Sequence, residues 1–471
     1  MLTIDPNFLH VSGANIVNGR GESVLLRGFC LGGWMNMENF ITGYPGHETG
    51  LRDAVERVLG KERSHFFFER FLHYFIQEED LSFIRSLGCN VIRIPLNYRH
   101  FEDDARPFEY KEEGFDRLDR VVSWARSLGL YVILDLHAVQ GWQNRGWHCD
   151  NSGGEPRFFG QKAFEDRAVA LWQEFARRYK NEAYIAGYNV MNEPDAEEVT
   201  WLNHYYRRVT QSIREIDTRH IIFLEGNHYS QQFDELDIPW DTNTVYSSHN
   251  YVEPMDKVYP GVVDGELFDR ARLERDYRNR ASFMLRHKVP NWVGEFGCLY
   301  ENPSLTESNL RVMNDMIDII EGHGHHWSIW TYKDIGMMGI VMVNPESEWM
   351  RRTMGVRQSK TRLRCDSWIE RQAQPIDTLV RQIAEYAAEM IPSASESEIL
   401  SKLNTGIQDG VLSQVLLPAF AEQFRDMSEN EIDGMMQSFA FKNCQPRRVL
   451  VELLTRKIQH GHENPPQEGK L

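Results

Sequence analysis

The feature that most constrains this chain is an alternation. Short runs rich in β-branched and aromatic residues recur through its first 330 or so positions, each followed by a loop and then a segment of helical period. Eight such runs stand in the sequence: SVLLRGF (23–29), NVIRIP (90–95), YVILDLH (131–137), YNVMNE (188–193), HIIFLEG (220–226), VYSSHNY (245–251), NWVGEF (291–296) and WSIWTY (327–332). Amphipathic stretches such as EGFDRLDRVVSWARSLG and KAFEDRAVALWQEFARRY separate them, several ending at glycine, a helix C-terminal signal. Continuous apolar strands alternating with helices over this length predict an α/β fold of the (β/α)8 TIM-barrel type, with strands buried on both faces. The competing arrangement is an open, doubly wound sheet. No GxGxxG follows the first run, and polar residues end nearly every strand at its C-terminal end, where a barrel keeps its site.

Upstream, FLHVSGANIVNGRGE (8–22) reads as an N-terminal hairpin with a glycine-containing turn, a plug under the barrel floor. From about 366 the strands give way to helical periods. The expected organisation is therefore a barrel with its hairpin over 1–365 and a C-terminal helical module over 366–471, frayed at HGHENPPQEGKL. Within that module, DGMMQSF and LLPAF read as core or as the face of a homo-oligomer. The 471 residues carry 41% hydrophobic side chains, ample for a large core. A net charge of −17 without a basic block argues against nucleic acid as a partner. No run of about 18 apolar residues and no basic-then-apolar start is present, so neither a membrane span nor secretion is expected. Six scattered cysteines without CxxC spacing suggest reduced thiols and a cytoplasmic location.

The strand ends form a ring: Arg93, His137, Asn192 with Glu193, His249 with Tyr251, Glu295, and Trp330 with Tyr332. Taken singly, each has an ordinary structural reading, because an arginine or histidine at a strand end usually serves as a hydrogen-bonder and a barrel tryptophan usually belongs to the core. Their convergence on one axial point argues otherwise, since burying them unpaired would be costly. Glu193 and Glu295, on the fourth and seventh strands, would face each other across the barrel. At a separation of about 5–5.5 Å, such a pair suits double displacement at an acetal carbon. The roles require unequal pKa values. Arg93 and Tyr251 would keep Glu295 ionised as nucleophile, while burial and the opposing charge would keep Glu193 protonated as acid/base.

At these residues the sequence resembles the retaining glycoside hydrolases of family 5, in clan A, over about 22–335. The resemblance implies a TIM barrel, Glu193 as acid/base, Glu295 as nucleophile, Asn192 on the sugar 2-hydroxyl, and neither metal nor organic cofactor. Two stretches are similar to the exo-β-1,3-glucanase branch: LRGFCLGGWMNMENFITG (26–43) and DLHAVQGWQNRGWHCDNSGG (135–154). In that branch the residue matching Glu38 grips the terminal sugar. Trp34, with Gln143, Asn144 and Asp150, would then wall off the non-reducing side and make cleavage exo-acting. The branch is secreted and disulfide-bonded, unlike the expectation here, so short oligosaccharides or small glycosides are the expected substrates rather than an insoluble glucan.

The same ring serves β-glucosidases, β-mannosidases, glycosylceramidases and furanosidases, so the sugar stays open. A carbohydrate-binding pseudoenzyme is the reading from another class; the presence of both glutamates counts against it. EGHGHHW (321–327) lies before the eighth strand, at the bottom face and away from the mouth, which disfavours a metal site. His148 and Cys149 sit in the third-strand loop, where lining the pocket suits them better than nucleophilic chemistry.

Overall fold

The computed structural model describes residues 5–365 and 374–460. Its centre is a closed barrel of parallel strands. These are β1 (Arg27–Cys30), β2 (Val91–Asn97), β3 (Tyr131–Ala138), β4 (Ile185–Asn189), β5 (Ile221–Glu225), β6 (Thr244–His249), β7 (Asn291–Phe296) and β8 (His326–Ile329). Each pairs with its sequence neighbours, and β8 pairs with β1 to close the ring. The strand residues are almost all buried, as strands covered on one face by helices and on the other by the barrel interior must be.

All eight predicted strands are present, with displaced ends. β4 stops at Asn189 rather than continuing to Glu193, and β8 stops at Ile329 rather than at Tyr332. In the first case the backbone leaves the ladder because side chains take over its hydrogen bonds. Glu193 adopts φ 45°, in the left-handed region, while its N–H donates to Glu225 Oε2 at 2.7 Å.

The predicted plug is an antiparallel hairpin, His10–Ser12 with Asn15–Val17, turning at Gly13, whose φ is 60°. Leu9, Ile16 and Leu26 form a separate apolar cluster with Val91, Ile133, Ile221, Val245 and Trp292, side chains from the barrel strands. That cluster closes the barrel floor and leaves the C-terminal end of the barrel for chemistry.

On that opposite side, the long segment after β1 supplies helices Glu48–Leu59 and Lys61–Phe75. The C-terminal helices pack directly on this pair: Ser413–Ala421 lies against the first and Glu429–Met436 against the second. Aromatic rings form the joint, with Phe67–Phe424 centroids 4.9 Å apart, Phe71–Phe439 5.1 Å and Trp349–Phe439 5.0 Å. Lys333, fully buried, ties the same elements together, its Nζ 2.7 Å from Asp80 Oδ1 and donating to Phe75 O at 2.6 Å and Phe439 O at 2.9 Å. A short strand, Cys444–Pro446, pairs antiparallel with Val341–Val343. Most C-terminal apolar residues are thus intramolecular core. Helix Pro375–Met390 differs, with Leu379, Ile383, Tyr386 and Met390 exposed along one stripe. The expected frayed tail, beyond His460, lies outside the described residues.

Candidate active site

Arg93, on β2, is fully buried and organises the centre. Its Nη1 donates to Glu295 Oε1 at 2.7 Å, and its Nη2 to Asn192 Oδ1 at 2.6 Å and Glu225 Oε1 at 3.1 Å, with Asp135 Oδ2 also at 3.1 Å. Burial alone would lower its pKa; the carboxylates of Asp135, Glu295 and Glu225 reverse that and hold it well above the usual guanidinium value. The second oxygen of Glu295, Oε2, accepts from the Tyr251 hydroxyl at 2.8 Å. Glu295 therefore has a donor on each oxygen, both from groups predicted to provide them.

Glu193 faces it. One carboxylate oxygen from each glutamate, together with a ring nitrogen of His249, falls within a set of atoms all less than 4.8 Å apart. His249 Nδ1 lies 2.6 Å from Glu193 Oε1 and 3.6 Å from Glu295 Oε2, so the imidazole bridges the two. On the far oxygen of Glu193, His148 Nε2 stands at 3.1 Å.

Burial raises the pKa of Glu193, but the hydrogen bonds from His148 and His249 outweigh it and hold the carboxyl well below the usual range. This corrects the sequence expectation that burial and the opposing charge keep Glu193 protonated. His249 moves the other way: burial lowers its pKa, yet the charges of Glu295 and Glu225 and its bond to Glu193 push it up to about 10. One proton is thus shared across a 2.6 Å contact, and the opposite shifts favour the imidazole as its holder. His137 is likewise pushed up to about 10, by Asp135 and Glu38 against burial, and burial raises the pKa of Glu38 despite its contact with His137.

Six of the predicted residues line one cavity of about 980 Å³: Glu38, His137, Glu193, Tyr251, Glu295 and Trp330. His137 stacks flat on Trp330, with centroids 5.4 Å apart and planes 3° from parallel. Arg93 and His249 lie directly behind these, holding the carboxylates, and Asn192 is buried between Arg93, whose bond its Oδ1 accepts, and His137. Asn144 is also brought to the site, but as a brace, its Nδ2 donating to the backbone oxygen of Glu193 at 2.8 Å.

Trp34 is a correction. Its indole Nε1 donates to Leu72 O at 3.0 Å, and it lines a different, smaller cavity with Glu69 and Arg117, because the polar atom of a buried tryptophan settles on the nearest carbonyl. The expected wall from the third-strand loop is scaffolding too. Gln143 Nε2 donates to His137 O at 2.6 Å and Asn192 O at 2.9 Å, while Asp150 accepts from Thr49 N at 2.8 Å and Arg99 Nε at 3.1 Å. Tyr332 points into the core, donating to Asp80 Oδ1 at 2.9 Å. His148 lines the cavity as expected, whereas Cys149 is buried away from it. The three histidines of EGHGHHW bind separate partners: His323 with Glu274, His325 with Tyr277 and His326 with the Leu26 N–H.

Two central residues escaped the sequence reading. Glu225 is the last residue of β5, within the fifth run, HIIFLEG, and burial notwithstanding, His249 and Arg93 hold its pKa down to about 2. Asp135 precedes His137 by two residues, so strand alternation puts both on the inward face, 2.7 Å apart. The contact between His148 and Glu193 has no sequence signal, since it depends on how the loop 139–161 folds back.

A parallel barrel floored at one end, with two facing carboxylates bridged by a histidine at the other, defines a class of hydrolytic barrel enzymes. Residues 57–336, more than half of the chain, match the family model for cellulase (glycosyl hydrolase family 5), and the chain belongs to that family and is a glycoside hydrolase. Among relatives, it is 38% identical over 465 residues to a "Beta-xylosidase" of Phanerodontia chrysosporium, covering 95% of this chain and 98% of that one. It is 32% identical over 381 residues to a "Probable glucan 1,3-beta-glucosidase A" of Aspergillus clavatus, covering 71% and 88%. The solved structure of endoglucanase Cel5A from Thermotoga maritima shares the fold at 19% identity and a TM-score of 0.50, over 69% of this chain and 93% of that one.

Proposed function

We propose that this protein is a retaining, exo-acting β-glycosidase of short oligosaccharides or small glycosides, with Glu295 as nucleophile and Glu193 as acid/base. The observation that carries this reading is the approach of the two carboxylates, with oxygens inside 4.8 Å. Inverting enzymes keep their carboxyl groups about 6.5–9.5 Å apart to admit a water, and retaining ones about 5–5.5 Å.

In the first half-reaction a Glu295 oxygen attacks the anomeric carbon as the bond to the leaving oxygen breaks. Arg93 and Tyr251 hold the nucleophile ionised and oriented. The leaving oxygen takes the proton shared by Glu193 and His249. Once Glu295 is an ester, its negative charge is gone, the proton affinity of the Glu193–His249 pair falls, and Glu193 regains its proton only as it activates the water that hydrolyses the ester. Glu225 and Asn144 fix the strained Glu193 backbone throughout.

Exo action is supported by Glu38 and His137, a buried pair lining the cavity and suited to accept from and donate to hydroxyls of the sugar under attack. The relative named as a β-xylosidase, which matches nearly the whole chain, puts β-xylosides beside β-glucosides among the substrates to try first. Six free thiols, five of them buried, fit a reducing compartment. Among the described residues no helix is long and apolar enough to cross a membrane. A panel of nitrophenyl glycosides in pyranose and furanose forms, with early-time NMR of the product anomer, tests the reading. An inverted first product, or release of oligosaccharides from mid-chain, overturns it.

A further inference from the structure

The cavity does not end at Glu38. At about 980 Å³ it reaches the top of the range for small-molecule sites, more than one sugar ring needs. It extends to both sides of the glutamate pair. Beyond Glu193 it is bordered by His148 and Tyr229, whose ring centroids are 6.1 Å apart. Besides Glu38, its lining takes in Phe40 and His47 from the segment after β1 and Ser401, Asp409, Gly410 and Gln414 from the C-terminal segment. All six of these last residues lie outside positions 57–336, the part shared with the family model.

The position of this wall is fixed by packing. Helix Ser413–Ala421 approaches the start of helix Glu48–Leu59 so closely that a Cβ on Gly50 would come within 2.8 Å of Leu417 Cδ1, and one on Gly46 within 3.3 Å. Leu417 is itself buried. Gln414, one turn earlier on the same helix, is thereby presented to the cavity from an anchored element, and Asp409 comes from the helical segment Asn404–Leu412 that leads directly into it.

Orientation follows from the proposed roles, on which this step rests. The leaving group must lie at Glu193, so the sugar under attack lies over Glu295, against Trp330, His137 and Glu38, with its non-reducing side toward Phe40. We infer that Phe40, His47, Asp409 and Gln414 form a binding position for a second sugar ring on that side, so that the enzyme removes β-linked disaccharides as intact units. An aromatic face suits the C–H face of a pyranose, a carboxylate accepts charge-assisted bonds from two hydroxyls, and an amide both donates and accepts.

The test compares 4-nitrophenyl β-xyloside and β-glucoside with the corresponding xylobioside, cellobioside and laminaribioside. The expected result is that at least one disaccharide glycoside has a kcat/KM at least tenfold above its monosaccharide counterpart and releases nitrophenol with the disaccharide intact. In Asp409→Asn and Gln414→Ala enzymes the ratio of the two kcat/KM values should fall at least fivefold; being a ratio, it does not depend on how much enzyme is folded. Wild-type preference for the monosaccharide glycosides, release of single sugars from the tip of the disaccharides, or an unchanged ratio in both variants overturns the second position while leaving the glycosidase reading intact. Turnover of none of these glycosides overturns both.

Discussion

Glu193 and Glu295 are the same side chain in the same cavity, and what separates them is their neighbours. Glu295 receives one donor on each oxygen, from Arg93 and Tyr251, and the proposed nucleophile is tested by Glu295→Ala. Turnover should fall by at least about 10³-fold, with added azide restoring activity and giving the inverted glycosyl azide. Activity near wild type without azide would end the assignment. Glu193 instead sits between two imidazoles, His249 at 2.6 Å and His148 at 3.1 Å. Each favours its ionised form, so removing one should raise the proton affinity of the Glu193–His249 pair. His148→Asn is accordingly expected to move the basic limb of the kcat/KM profile to higher pH, by roughly one unit for the loss of one hydrogen bond to a charged group. A profile that does not move, or moves down, would show that His148 only shapes the loop.

At the scale of elements, the helices that follow β1 and the C-terminal helices depend on each other. Phe439 is buried between Phe71 and Phe75, both on helix Lys61–Phe75, and Trp349. Phe439→Ala should cost about 3–5 kcal/mol in denaturant unfolding, the usual range for a buried phenylalanine. Lys333 makes a different kind of joint. Replacing it with Met leaves the Asp80 carboxylate buried without its partner and should cost about 3–5 kcal/mol, whereas Lys333→Met with Asp80→Leu should recover much of the loss, because no unpaired charge is then left at this joint. Equal losses in the single and double variants would show that the backbone bonds from Lys333 to Phe75 and Phe439, not the charge pair, carry the joint.

For the whole molecule, buried titratable groups set the pH range of stability. His137 and His249 have folded pKa values raised from 6.5 to about 10, so the native state binds protons that the unfolded chain has released. Their contribution is fully present below pH 6.5 and disappears as pH rises to about 10. His325 and His326 are lowered by burial from 6.5 to about 3, so here the unfolded chain takes up the protons, and stability declines as pH falls from 6.5 toward 3. Glu225, lowered from 4.5 to about 2, adds to the acid side below pH 4.5. Stability measured by urea unfolding should therefore peak near pH 6.5 and fall on both sides. A plateau extending unchanged to pH 9 would contradict the cationic state of the two site histidines.

The sequence by itself determined the barrel, the eight strands, the floor hairpin and the two facing glutamates, because strand period and the polarity of strand ends are local signals that tertiary contacts only sharpen. It also pointed correctly to Arg93 and Tyr251 as donors to Glu295. Other features were settled only by the tertiary structure. The ionisation of Glu193 depends on His148, which a loop delivers from 45 positions upstream, and on where a shared proton rests among several buried charges. Trp34, beside the right motif, turned to the carbonyl of Leu72, a partner no spacing could name. The far wall of the cavity is built by residues more than 350 positions from Glu38, and pairing over such a distance follows from which apolar faces remain uncovered once the barrel has closed.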